Sequence, residues 1–215
     1  LDAADHADRE MLKHAQNQED KAMLRQALVK IAEQADRAGR TIKSVHDFVR
    51  RREQAREAVA ASALIDAVLP LVKLQARKSS TRIDVRMPSP VPHVMADRTM
   101  VEQVLLNLAR NGIQAMESEL TPPDRRVLQL AVRAINAQWI EFRVADAGPG
   151  IAPDVARRLF TPFFTTKPPG QGAGLGLGVS YRTVQAHGGR ITVSSRPGCT
   201  VFRVSLPVDA RAALA

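Results

Sequence analysis

Along this chain apolar residues recur in some stretches at steps of three and four and in others at every second position, and the changes of period mark out its elements. Residues 1–16 predict a short helix, and Gln16 to Asp20 a bend. From there Leu24, Leu28, Ile31, Ala35, Ala38, Ile42, Val45 and Val49 form a heptad seam on one long helix. One helix cannot bury such a seam, so it packs against a second copy or against another helix of its own chain; a homodimer is the simpler solution. Arg50-Arg51-Arg52 suits the end of that helix, where cations complement the last carbonyls, and marks a domain boundary.

Beyond the boundary, Leu64, Ile65, Val68, Leu69, Leu71 and Val72 predict a helix over 62–78, bent or split at Pro70. Ile83, Val85 and Met87 alternate as a half-buried strand does, and a proline-rich turn follows from Pro88, with His93 at its end. Asp97 is placed to cap a helix over 100–116, whose apolar stripe runs through Val101, Val104, Leu105, Leu108 and Ala115. Strands at 127–134 and 138–145 form a hairpin. A helix over 178–187, capped by Gly188 and Gly189, leads to strands near 190–195 and 200–206. Helices interspersed with strands around a hairpin predict an α+β fold, a two-layer α/β sandwich preceded by the long helix.

Candidate chemistry begins on the central helix. Asn107 and Asn111 stand one turn apart, so both amides leave by one face, where they are either satisfied by backbone or turned to a polar ligand. Arg110 lies roughly 100° away around that helix. Two glycine-rich segments follow: Asp146-Ala147-Gly148-Pro149-Gly150 after a strand, and Gly172-Ala173-Gly174-Leu175-Gly176-Leu177-Gly178 before a helix. Glycines opening a helix leave backbone N–H groups free for anionic phosphate.

These three motifs, in this order, resemble the ATP-binding domain of sensor histidine kinases, within the wider family shared with gyrase-type ATPases, heat-shock-protein-90-type chaperones and mismatch-repair ATPases. The likeness runs from about Asp97 to Pro207. It implies ATP and Mg2+ as cofactors, with Asn111 as the metal ligand and Asn107 beside the phosphates. It further implies adenine recognition by Asp146 with Gly148 and Gly150, and phosphate contacts from Gly172, Gly174, Gly176 and Leu177. Thr200 matches the threonine beneath adenine. Phe160, Phe163 and Phe164 resemble the family's phenylalanine box, and Thr161 to Gly172, with Lys167, its mobile lid near phosphate. By the same likeness residues 1–56 resemble the remnant of a helical dimerisation and phosphotransfer domain, 57–208 the ATP-binding domain and 209–215 a tail.

Two departures stand out: Gly178 where the family more often has serine, and Cys199 in a usually glycine-rich turn. The family's phosphoacceptor is a histidine followed by an acidic residue and then a proline. Only His46-Asp47 imitates its start, and no proline follows. The resemblance implies transfer of the ATP γ-phosphoryl to a histidine absent from this chain, carried on a partner dimerisation helix, with a response regulator receiver domain as a further partner. The alternatives are a gyrase-type ATPase, which would need a glutamate base where Asn107 stands, and a non-catalytic nucleotide-binding module.

Composition alters this picture little. With 31 Lys and Arg against 22 Asp and Glu the net charge is +9, enough to attract nucleic acid, an anionic membrane or phosphates. The arginines are scattered and aromatic residues make up only 4%, leaving few rings for base stacking, so no nucleic-acid partner is expected. One cysteine, Cys199, excludes an internal disulfide and suits a reducing compartment. No run approaches the roughly 20 apolar residues of a membrane span, and the charged start is unlike a signal peptide, so a cytoplasmic location is expected.

Overall fold

The computed structural model describes Met23 and residues 56–90, 93–167 and 174–208. The chain divides into two compact units, Leu1–Arg51 and Arg52–Ala215, and all described residues except Met23 belong to the second. The seam from 24 to 49, His46, the lid segment 168–173 with Gly172, and the tail 209–215 lie outside the described residues.

A short strand β1 (Glu57–Ala60) leads into helix α1 (Ala61–Lys78), then β2 (Arg82–Arg86), β3 (His93–Ala96) and helix α2 (Arg98–Met116). The hairpin β4 (Val127–Asn136) and β5 (Trp139–Asp146) follows, then a single turn α3 (Pro153–Ala156), helix α4 (Gly176–Ala186) and the hairpin β6 (Arg190–Arg196) and β7 (Cys199–Pro207). Five strands form one sheet in the order β2-β4-β5-β7-β6. Only the β2–β4 pairing is parallel; the others are antiparallel. β1 and β3 pair separately, with Glu57 opposite Ala96.

Every second residue of the central strands faces the helices. Leu128 and Leu130 on β4, Ile140 and Phe142 on β5, and Val204 and Leu206 on β7 are buried there against Leu64, Ile65 and Val72 of α1 and Leu105, Leu108 and Ile113 of α2. Each such side chain stabilises the fold by about 1.5–3 kcal/mol relative to exposure, so this layer contact holds the sandwich together. On the other sheet face Glu141 is buried beneath arginine stems, its Oε1 2.8 Å from Arg133 Nε.

Three expectations need correction. Helix α1 runs unbroken through Pro70 instead of splitting there. Pro70 lies on the exposed side, as does Asp66 one turn earlier, so water can take the carbonyl that the proline leaves unpaired. Leu71 and Ala115, assigned to apolar stripes, are exposed; Leu71 and Leu74 line an open groove of about 330 Å³ between α1 and α2. His93 starts β3 rather than closing a turn.

Candidate functional site

Helix α2 is fixed at its start by two linked contacts. Asp97 Oδ1 accepts from Met100 N–H at 3.1 Å, the expected N-cap. The Asp97 N–H donates in turn to His187 Nε2 at 3.0 Å, while His187 Nδ1 lies 2.7 Å from the Thr183 carbonyl. A ring that accepts at Nε2 and donates at Nδ1 is neutral, so this buried histidine, the C-cap residue of α4, is a bracket between the end of α4 and the start of α2. Gly188, at φ +70°, turns the chain away after α4. Glu102 accepts from Arg98 Nε at 2.7 Å and has a structural role on the surface of α2.

One face of α2 then presents Asn107, Arg110, Asn111 and Gln114 in successive turns. Asn107 Nδ2 donates to the buried Ser180 hydroxyl on α4 at 2.9 Å. Asn111 is half-buried, and its amide has no hydrogen-bond partner among the described residues. The two stacked amides thus divide: one is held by Ser180, and the other has no such bond among the described residues. Lys167 reaches the same face, its Nζ donating to Gln114 Oε1 at 2.5 Å. Burial lowers its pKa, Arg110 lowers it further, and Glu117 opposes both.

The glycine motifs converge on this helix. A Cβ on Gly176 would stand 2.6 Å from Asn107 Oδ1, so the start of α4 approaches Asn107 closely only because residue 176 has no side chain. Gly174, at φ +66°, lies against the Phe163 carbonyl. Leu177 is half-buried against the core. Gly178 is buried, but a Cβ there would meet Pro162 at an ordinary 3.4 Å, so close packing does not require glycine at this position.

Asp146 ends β5 buried against the middle of α2: a Cβ on Gly112 would lie 3.3 Å from its Cβ. Its Oδ1 accepts from Gly148 N–H at 2.9 Å, and Oδ2 carries no hydrogen bond from any described residue. Burial raises its pKa to about 6, with the Gly148 bond opposing. Thr200 stands directly opposite on β7, also buried. The turn of the last hairpin holds the loop after Asp146: Gly198 N–H donates to the Gly148 carbonyl at 2.9 Å, and Gly150, at φ +91°, lies against Arg196.

The phenylalanines have separate fates. Phe160 packs on the core and against Tyr181, ring centroids 5.5 Å apart, and anchors the segment. Phe164 lies under the Arg158 guanidinium at 4.4 Å. Phe163 is 71% exposed, so within this phenylalanine-rich segment it is Phe160 that packs on the core.

Ser180, Gly112, Gln114 and Ser195 belong to this arrangement and carried no sequence signal, because each matters only through a partner far along the chain. A donor–acceptor set of this kind fits a purine nucleotide. A buried carboxylate keeps an oxygen without a hydrogen bond from any described residue, the backbone of Gly176 comes close to the Asn107 amide, and the Asn111 amide oxygen suits a hard cation, which prefers oxygen ligands.

Fold and site together define a nucleotide-binding α/β sandwich. The chain belongs to the family described as histidine kinase-, DNA gyrase B-, and HSP90-like ATPase, which residues 96–210 match. It is 41% identical over 187 residues to the C4-dicarboxylate transport sensor protein DctS of Rhodobacter capsulatus, covering 86% of this chain and 28% of that protein. To the sensor protein FixL of Bradyrhizobium diazoefficiens it is 37% identical over 182 residues, covering 84% and 35%. Among solved structures, full-length ShkA in complex with AMPPNP superposes with a TM-score of 0.63 at 32% identity, covering 73% of this chain and 32% of that one. The chain therefore spans about a third of the length of the curated relatives it matches. Among the described residues no helix is long and apolar enough to cross a membrane.

Proposed function

We propose that this chain is the ATP-binding catalytic part of a bacterial two-component sensor histidine kinase, acting in the cytoplasm. It binds ATP with Mg2+ and delivers the γ-phosphoryl to a histidine on a dimerisation helix, from which a response regulator receiver domain takes it. The homodimer forms through the helix at 24–49. Residues 1–56 are the remnant of the dimerisation domain, 57–208 the catalytic domain and 209–215 a tail.

The observation that carries this reading is the division between the two amides. Asn107 is held by Ser180, whereas Asn111, on the same face, has no hydrogen-bond partner among the described residues. Asn111 would hold magnesium through its amide oxygen, and the bound ion would supply charge neutralisation at the phosphates. Lys167 and the N–H groups of Gly174, Gly176 and Leu177, with Gly172, face the phosphates. Asp146 accepts from the exocyclic amine of adenine, with Gly148, Gly150 and Thr200 around the base. Position and charge compensation supply most of the catalysis in such a transfer.

A hydrolytic role is disfavoured by residue 107. An amide committed to Ser180 cannot take a proton from water. The test is Asn111→Ala. Calorimetric titration with ATP in the presence and absence of magnesium should show the magnesium-dependent part of the affinity lost while the circular dichroism spectrum is unchanged. Equal MgATP binding by variant and parent defeats the assignment.

A further inference from the structure

Across the end of the sheet, on its helix-facing side, three polar residues stand in one cross-strand row: Ser195 on β6, Thr200 on β7 and Asp146 on β5. Ser195 is the residue of this row that the reading above leaves unused. Its Oγ is 2.9 Å from Ile151 N and 2.7 Å from Thr200 Oγ1. A backbone N–H can only donate, so Ser195 Oγ accepts from Ile151. Its own hydrogen has the Thr200 oxygen within reach.

We propose that Ser195 is a positioning residue that fixes the polarity of the Thr200 hydroxyl and thereby makes the site select adenine over guanine. Ile151 N–H donates to Ser195, and of the two directions open to the Ser195–Thr200 pair we take Ser195 as donor, which leaves the Thr200 hydrogen to point out of the pair. Beside it Asp146, with Oδ1 taken by Gly148, offers Oδ2 as an acceptor. The row therefore presents one donor and one acceptor side by side. Adenine shows the complementary pair on its pairing edge, a ring nitrogen that accepts and an amine that donates. Guanine shows the reverse, a ring N–H and a carbonyl oxygen. A hydroxyl free to rotate could serve either base; one held as a donor serves adenine and leaves guanine with unpaired groups. Such mismatches are costly in a buried site.

Ser195 also anchors the loop. Its bond to Ile151 and the Gly198 bond to the Gly148 carbonyl hold both ends of the segment 148–151 to the last hairpin. A purely structural role would thus lower affinity for every nucleotide alike, whereas the polarity role changes selectivity between bases. The inference rests on the reading of Asp146 as the adenine acceptor.

The 215-residue chain, its Ser195→Ala variant and its Ser195→Thr variant are titrated by calorimetry with magnesium complexes of ATP, GTP and inorganic tripolyphosphate. Ser195→Ala should reduce the preference for ATP over GTP about tenfold and leave tripolyphosphate affinity unchanged. Ser195→Thr, which keeps the hydroxyl, should restore the preference. Ser195→Cys keeps the shape with a weaker hydrogen-bonding group and should lose selectivity likewise, should the alanine variant prove unstable. Unchanged selectivity in a folded alanine or cysteine variant overturns the inference, and so does an equal loss of all three ligands. Asp146→Asn separates the two levels. If it keeps the preference for ATP, the adenine reading itself has failed; if it loses the preference and Ser195→Ala does not, only the role of Ser195 has.

Discussion

Asn107 on α2 and Ser180 on α4, 73 residues apart, share a hydrogen bond of 2.9 Å that joins the first motif of the site to the helix opened by the last. Ser180 is buried, so its hydroxyl replaces water for an amide that would otherwise be only partly satisfied. The bond also turns the Asn107 oxygen toward Gly176, the glycine without which the two helices could not come so close.

Ser180→Ala removes the acceptor and leaves the Asn107 amide without it. The expected cost is about 1 kcal/mol of stability, with a weaker hold on the start of α4 and therefore lower nucleotide affinity. Urea denaturation together with MgATP titration reads both effects. A variant as stable and as tight-binding as the parent would show the bond to be incidental.

Asp146 yields a pH dependence whose sign follows from its raised pKa. Burial pushes the group up to about 6 in the folded chain, against 3.8 for an unperturbed aspartate. The folded state therefore holds the extra proton between those values, and stability declines as pH rises through that window. The full penalty at neutral pH is roughly 3 kcal/mol. Asp146→Asn cannot ionise and keeps an oxygen for Gly148, so it should be the more stable protein at pH 7.5. The gap should close near pH 4. Denaturation midpoints that differ equally at both pH values would contradict this origin.

The same titration bears on ligand binding. Below about pH 6 Asp146 becomes protonated and loses acceptor capacity toward an exocyclic amine. ATP affinity should fall through that range, and the affinity of Asp146→Asn should not follow it. Parallel pH profiles for the two proteins would remove Asp146 from adenine recognition.

Gly112→Ala tests the close approach of α2 to the end of β5. The added methyl would stand 2.8 Å from the buried Leu128 Cδ1 and 3.3 Å from Asp146 Cβ. Overpacking of this kind costs about 1–3 kcal/mol, and alanine's better helix propensity offsets at most ~1 kcal/mol of it. Thermal unfolding should report a lower midpoint and calorimetry weaker ATP binding. A rise in the midpoint would mean that the helix shifts without strain.

With labelled ATP and magnesium the chain should acquire no acid-labile phosphate by itself, because its one His-Asp pair, His46-Asp47, lacks the proline of the acceptor motif. A separate fragment with that motif should be labelled in its presence. Acid-labile label on this chain, abolished by His46→Gln, would make His46 the acceptor.

What the sequence determined by itself was whatever depends on near neighbours. Period and capping located α2 and its Asp97 cap, the β4–β5 hairpin and the pair β6–β7. Helical spacing put Asn107 and Asn111 on one face, and motif order identified the family. Strands β1 and β3 escaped because four residues offer at most two inward positions, too few for a period to be read. The parallel register of β2 on β4 escaped because it joins segments more than 40 residues apart. Tertiary structure alone decided which amide is spent on the protein and which has no partner among the described residues, since Ser180 reaches Asn107 only once α4 has packed on α2. It alone aligned Ser195, Thr200 and Asp146 in one row, because cross-strand register is fixed by which residues the sheet buries, a property of the assembled core.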